Sequence, residues 1–172
     1  MSRNEIRRAT LSDASLLAEL GSRTFYEAFA ADTPEKDMAA YLAESFTPVK
    51  LADQIADRLS LFFIAENNGD AIGYARLYPA DPPPCVNGPN PIQLARLYAL
   101  KEWYGQGVGS SLMKACLSEA RWRGYQTMWL STWNINVRAI SFYHKWQFQH
   151  VGTQNFQVGT DIQSDVVLMR MI

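Results

Sequence analysis

The chain has little cysteine, little histidine and no surplus of either charge, and each shortage removes a class of function. Cys85 and Cys116 are the two cysteines in 172 residues, too few for a disulfide framework, and they stand at no metal-ligand spacing. A reduced, cytoplasmic setting and a chemistry without metal are the expectations. Lys and Arg total 16 against 17 Asp and Glu, and the resulting net charge of −1 offers a phosphate backbone no basic face, so nucleic acid is not an expected partner. No apolar run reaches the length of a membrane span, and the polar stretch from Met1 to Thr10 has the pattern of neither anchor nor signal peptide, so no membrane partner is expected either. Internal repeats, low-complexity tracts and convincing linkers are also missing, which leaves a single domain over residues 1–172. With 48% hydrophobic and 19% charged residues it has the composition to bury a sizeable core.

What is present centres on the segment from Ile92 to Arg123, which reads as a strand, a glycine loop and a helix. Gly105, Gly107 and Gly109 stand between a strand rich in Leu, Ile and Tyr and a helix whose apolar residues recur at Val108, Leu112, Ala115, Cys116 and Ala120. The first turn of such a helix carries amide N–H groups without intrahelical partners at the positive end of the macrodipole, a setting that holds anionic phosphate. Two common phosphate loops do not fit. A P-loop needs Gly-Lys followed by Ser or Thr, whereas Gly109 is followed by Ser110 and Ser111, and Lys114 lies a turn inside the helix. A dinucleotide fingerprint needs a different third glycine spacing and an acid about 20 residues on, and the strand from Thr127 to Ser131 has none. A plain turn before a helix would use the same glycines.

The other elements follow from pattern. Glu5 to Ala9 is a short strand, and Thr10 or Ser12 caps a helix bearing Leu16, Leu17, Leu20, Phe25 and Phe29. Thr33-Pro34 and Thr47-Pro48 each restart a helix with proline in its first position. Leu61 to Glu66 and Ala71 to Tyr78 are strands joined through Asn67-Asn68-Gly69-Asp70, a hairpin turn. Five prolines between Asp81 and Pro91 make that stretch a loop. After Gly124, a strand from Gln126 to Ser131 leads to a helix capped by Asn136 and bearing Val137, Ile140, Phe142 and Tyr143. Phe148 to Val158 and Gln163 to Met171 then close the chain as a hairpin around Gly159-Thr160-Asp161. This order predicts an α/β (α+β) fold, a mixed, mostly antiparallel sheet with helices on both faces.

The run YGQGVGSSLM resembles the acetyl-CoA loop of the GNAT N-acetyltransferases, in which Arg or Gln, two residues, Gly, one residue and Gly or Ala follow one another; Gly107 and Gly109 fill its glycine positions. Downstream, Trp133, Asn136, Ala139, Phe142 and Tyr143, followed by Gln147-Phe148, resemble the second half of the same signature. The stretch from Thr24 to Leu42 is weakly similar to the bacterial spermine/spermidine acetyltransferases of that superfamily. The resemblance implies the GNAT acyltransferase fold and acetyl-CoA as cosubstrate. By the same resemblance, Leu97, Tyr98 and Ala99 hold the pantetheine arm, Gly105, Gln106, Gly107, Val108, Gly109 and Ser110 the pyrophosphate, and Asn136 and Lys145 further parts of the coenzyme. Tyr143 falls where the superfamily places its general acid, and a phenol keeps its proton at neutral pH and can pass it to a departing thiolate. His144, one position on and about 100° round the helix, points elsewhere, and His144 and His150 read as surface residues.

A small-molecule primary amine is the implied acceptor, with a polyamine such as spermidine suggested by the Thr24–Leu42 likeness. Glu27 and Glu35, with Asp32, Asp37 and Glu44 beside them, either receive its distal charge or form a solvated helix face. Three positions depart from the signature. Tyr104 replaces Arg or Gln, Gln93 stands where many relatives have a strand Glu able to act as base through water, and Gln147 replaces the Gly before Phe148. A carboxamide cannot take a proton, so a non-catalytic acetyl-CoA-binding regulator with the same fold is the alternative to an enzyme. Many relatives are dimers, and a homodimer is the implied assembly.

Overall fold

The computed structural model describes residues 4–172; the first three, part of the polar N-terminal stretch, lie outside it. Strand β1 (Glu5–Arg8) leads through a 3-10 turn into helix α1 (Ala14–Phe29), followed by α2 (Glu35–Ser45) and α3 (Pro48–Ala56). Strands β2 (Leu61–Asn67), β3 (Asp70–Tyr78) and β4 (Pro91–Ala99) precede α4 (Val108–Trp122). The chain ends with β5 (Thr127–Trp133), α5 (Val137–Lys145), β6 (Gln149–Val158) and β7 (Asp161–Met171). The strands form one sheet in the order β1-β2-β3-β4-β5-β7-β6. All neighbours are antiparallel except β4 and β5. The expected mixed sheet is therefore the observed one.

The two larger of its hydrophobic clusters lie on its two faces. Leu94, Met128, Leu130 and Leu168 of the sheet pack with Leu112, Cys116 and Ala120 of α4 and with Tyr143 of α5. On the opposite face Ile64 and Tyr74 meet Leu17, Leu20 and Phe25 of α1, Met38 of α2 and Leu51 of α3. Within α1 the buried stripe runs through Leu17, Leu20, Gly21, Thr24 and Phe25, while Leu16 is exposed, because each residue turns the helix by about 100°. The caps differ from expectation by small steps. Thr10 starts the 3-10 turn rather than α1, its N–H donating to Asp13, and Pro34 stands just before α2 in extended geometry. Thr47 and Asn136 cap as expected, accepting from the N–H of Lys50 at 3.1 Å and of Ala139 at 3.2 Å. The β2–β3 turn has positive φ at both Asn68 and Gly69, the geometry that favours these two residue types.

Two local ties set the helices against the sheet. Arg7 of β1 reaches Asp13 with two hydrogen bonds of 2.9 Å and Glu66 with one of 2.7 Å, and this guanidinium holds the Asp13 carboxyl down at about 2. Asp37 of α2 accepts from both the N–H and the hydroxyl of Thr160 in the β6–β7 turn, which brings that hairpin over α2.

Candidate active site

The parallel pair at the centre of the sheet is short. β4 and β5 are in register over Pro91–Gln93 and Thr127–Trp129 and then part, although β4 runs on to Ala99 and β5 to Trp133. The register between β3 and β4 shifts at the same place, Arg76 facing Arg96 while Leu77 faces Leu94, so Ala95 is an extra residue in β4. A bulge there bends the strand away from its neighbour. The gap opens into a cavity of about 540 Å³. Its walls are Leu94 to Ala99 of β4, Ser131 and Thr132 of β5, the first turn of α4, and Asn136, Arg138, Ala139, Phe142, Tyr143 and Lys145 around α5.

At the far end the chain leaves β4 through a 3-10 turn at Lys101–Trp103 and enters α4 through Gly105 and Gly107, both with positive φ. Gly107, at φ +83°, is the N-cap residue of α4, and a Cβ added there meets no atom within 4 Å. Glycine is thus required by the left-handed backbone, and the space beside it is open. The amides of Gly107, Val108, Gly109 and Ser110 have no backbone acceptor among the described residues, and the residues that carry them line the cavity. This is an anion seat built from backbone. Gln106 differs: its N–H donates to Trp103 at 3.3 Å, its side chain to Glu102 O at 2.7 Å, and it does not line the cavity. Its amide, expected in the pyrophosphate seat, is thus engaged in the turn before α4 and stands apart from the unpaired set.

A residue that spacing did not single out completes this end. The Arg138 guanidinium lies over the Tyr104 ring, 3.6 Å from its centroid, and both residues line the cavity. Tyr104 is the departure from Arg or Gln, and the stacked Arg138 returns a cation to the loop from α5. The departure itself was the available signal, since an aromatic in place of a cation calls for a cation elsewhere.

Of the residues expected to bind coenzyme, Leu97, Tyr98, Ala99, Gly105, Gly107, Val108, Gly109, Ser110, Asn136 and Lys145 all line the one cavity. Tyr143 joins them. It is 8% exposed, its hydroxyl has no hydrogen-bond partner among the described residues, and burial pushes its phenol far above the ordinary range. Phe148 packs edge-on against it at 5.7 Å between ring centres, and the Phe148 N–H donates to Tyr143 O at 3.0 Å. Gln147, at φ +66°, makes the turn between them, with Gln147 N–H donating to His144 O at 2.9 Å. These paired bonds are a Schellman closure, in which the signature's glycine would sit without strain.

Two of the acids expected on the acceptor side, Glu27 and Asp37, have other partners. Glu27 accepts from the Lys101 N–H at 2.8 Å and from Arg23 at 3.0 Å, capping the 3-10 turn below the glycine loop. Neither Glu27 nor Glu35 lines the cavity; Glu35 is exposed in the first turn of α2 and Asp37 is the turn anchor described above. His144 and His150 are exposed, as expected. Gln93 too lies outside the lining, paired with Tyr78 and Trp129 where the strands are still together.

The family model described as acetyltransferase (GNAT) family matches residues 22–148. An uncharacterized N-acetyltransferase of Mycobacterium tuberculosis is 28% identical over 160 residues, 93% of this chain and 98% of that one. The N-acetyltransferase family 8 member 2 of Rattus norvegicus is 35% identical over 91 residues, 53% of this chain and 39% of that one. Among solved structures, the PaiA N-acetyltransferase of Thermoplasma acidophilum in complex with coenzyme A superposes with a TM-score of 0.81 at 20% identity, covering 99% of each chain.

Proposed function

The chain belongs to the GNAT family of acetyltransferases and is by that membership an acyl-transferring enzyme, and from this premise we propose that it moves an acetyl group from acetyl-CoA to a primary amine of a small molecule, with Tyr143 as general acid. The observation that carries the reading is the parting of β4 from β5 beside an unpaired helix N-terminus, with Tyr143 in the same cavity. Bound there, acetyl-CoA supplies an acyl group activated as a thioester. The residues fit it. The amides from Gly107 to Ser110 and the Arg138 and Lys145 side chains suit its phosphates. The β4 edge that has lost β5 is open to a strand-like arm along Leu97 to Ala99. Asn136 spends its side-chain carbonyl on the α5 cap, which leaves its NH2 for the same arm.

Tyr143 Oη holds a proton in water-poor surroundings. The same desolvating walls that disfavour a phenolate also disfavour the thiolate released by amine attack and raise its basicity, which is what lets the phenol pass it a proton at hydrogen-bond distance. A polyamine is the acceptor class taken from the Thr24–Leu42 likeness, and it would bind without Glu27, whose two carboxylate oxygens already serve Lys101 and Arg23. The deciding assay incubates the purified protein with acetyl-CoA and a panel of amines, spermidine, amino acids and an aminoglycoside among them, and follows thiol release. Amine-dependent release supports the reading. Tight coenzyme binding with no release for any amine would favour the non-catalytic regulator.

A further inference from the structure

Asp165 of β7 is a buried carboxylate that nothing above uses. It is 5% exposed, and among the described residues no cation pairs with it. A buried acid left without a cation is costly, and it calls for a role. Its place in the sheet supplies one. Asp165 is in register with Trp133 of β5, so it shares a face with Trp133 and with Ser131 two residues before it. Trp133 packs on Phe29 of α1, with ring centres 6.0 Å apart, so this is the face of the acceptor-side helices. Ser131 lines the cavity, and its hydroxyl is on the same face as the Asp165 carboxylate, diagonal to it across the β5–β7 pair. Tyr143 lies in the core on the opposite face. The gap between β4 and β5 therefore has a proton donor on one side and a carboxylate behind a hydroxyl on the other.

We propose that Ser131 and Asp165 form the proton exit for the acceptor amine, the role that Gln93 cannot fill. The step balances without any further reactant. The acceptor's ammonium gives one proton to Ser131 Oγ as the Ser131 O–H proton passes to the Asp165 carboxylate, leaving a neutral amine with its lone pair free, and no bond to carbon changes. Ser131 touches the reacting nitrogen, while Asp165 acts through it as a positioning residue and proton store. Burial raises the Asp165 carboxyl to about 6, with the neighbouring Ser131 hydroxyl pulling the other way, which suits a group that must accept a proton near neutrality. The other ionisable groups on this side are Tyr41 and Glu44 of α2, Tyr74 of β3, and Arg96 and Tyr98 of β4; Tyr41, Tyr74 and Tyr98 are all raised by burial, Tyr41 feels Arg96, Asp165 and Glu44, and Gln154 of β6 opposes Asp165 in register.

This inference rests on the acetyltransferase reading, and the test separates the two. With the amine that the parent enzyme acetylates, Asp165→Asn and Ser131→Ala should each lower kcat/KM on the order of 10- to 100-fold. Both should also erase the limb of the pH profile that rises through about 6, with coenzyme affinity unchanged. Should Asp165→Asn misfold, Ser131→Ala and a carbon-13 carboxyl titration of the parent decide: Asp165 should titrate above the ordinary carboxylate range, and higher still once the Ser131 hydroxyl is gone. Parent-like rates and pH limb in either variant, or an Asp165 that titrates in the ordinary range, would overturn the relay and leave the acetyltransferase intact. A parent protein inactive on every amine would overturn both.

Discussion

The two sides of the cavity are built from different material. The coenzyme side is made of backbone: amides at the start of α4, a strand edge in β4 and left-handed glycines at 105 and 107. The acceptor side is made of side chains, and two of its acids are already engaged: Glu27 caps a turn and Asp37 anchors a hairpin, while Asp165 shares a face with Ser131. Backbone sites follow from where glycines, strands and helix starts fall along the chain. Side-chain sites depend on which partner the fold brings to each group, and no local spacing records that.

This contrast can be broken by substitutions on either side. The largest effect belongs to Tyr143→Phe, which keeps the ring against Phe148 and deletes the hydroxyl; kcat should fall about 100-fold or more while the Kd for acetyl-CoA holds. Equal turnover by the variant would reduce Tyr143 to a packing residue. Next is Gly107→Ala, which acts twice. Its Cβ enters open space in the phosphate seat, so calorimetry should show coenzyme affinity at least about tenfold weaker. The positive φ should also lower stability by roughly 1–2 kcal/mol. An unaltered Kd would remove the amide seat from the coenzyme side.

On the acceptor side, Glu27→Gln sharpens the contrast. Loss of its charged cap to Lys101 should reduce stability by about 1 kcal/mol, and KM for spermidine and for a neutral amine should move together. A selective rise for spermidine would return Glu27 to substrate binding. The smallest effect is a gain: Gln147→Gly relieves a left-handed side-chain residue at the end of α5 and should raise stability by roughly 0.5–1 kcal/mol in denaturant titration.

Much of the fold was legible in the chain because period and punctuation agreed. Asn68-Gly69 called for a hairpin with positive φ, Thr47 and Asn136 cap as read, and the glycine loop stands where strand gives way to helix. Errors were single steps at caps, as at Pro34, or came from counting Leu16 into a stripe that passes it by. The candidate site was legible where backbone makes it. Arg138 was missed because its partner, Tyr104, is 34 residues earlier and meets it only across the cavity. Asp165 was missed because one acid in an alternating strand looks like any outward polar residue until the register puts it opposite Trp133. For Glu27 and Glu35 the sequence leaves two roles open, because helix acids are plentiful and only the fold tells that Glu27 is already bonded while Glu35 is exposed.

The parting of β4 from β5 has a mechanical consequence. The sheet is two half-sheets, β1 to β4 and β5-β7-β6, hung together on the three register pairs from Pro91–Thr127 to Gln93–Trp129. Helix α4 lies across the first half, and α5 springs from the second. On the proposed reading, a ligand lying along the open edge, with its phosphates on α4 and its arm beside α5, would bridge this seam like a strut. Stiffness then becomes a function of occupancy: amide exchange in β5 and β7 should slow when the coenzyme enters, and the wedge through which the acceptor must pass is held at its working width only while the strut is in place.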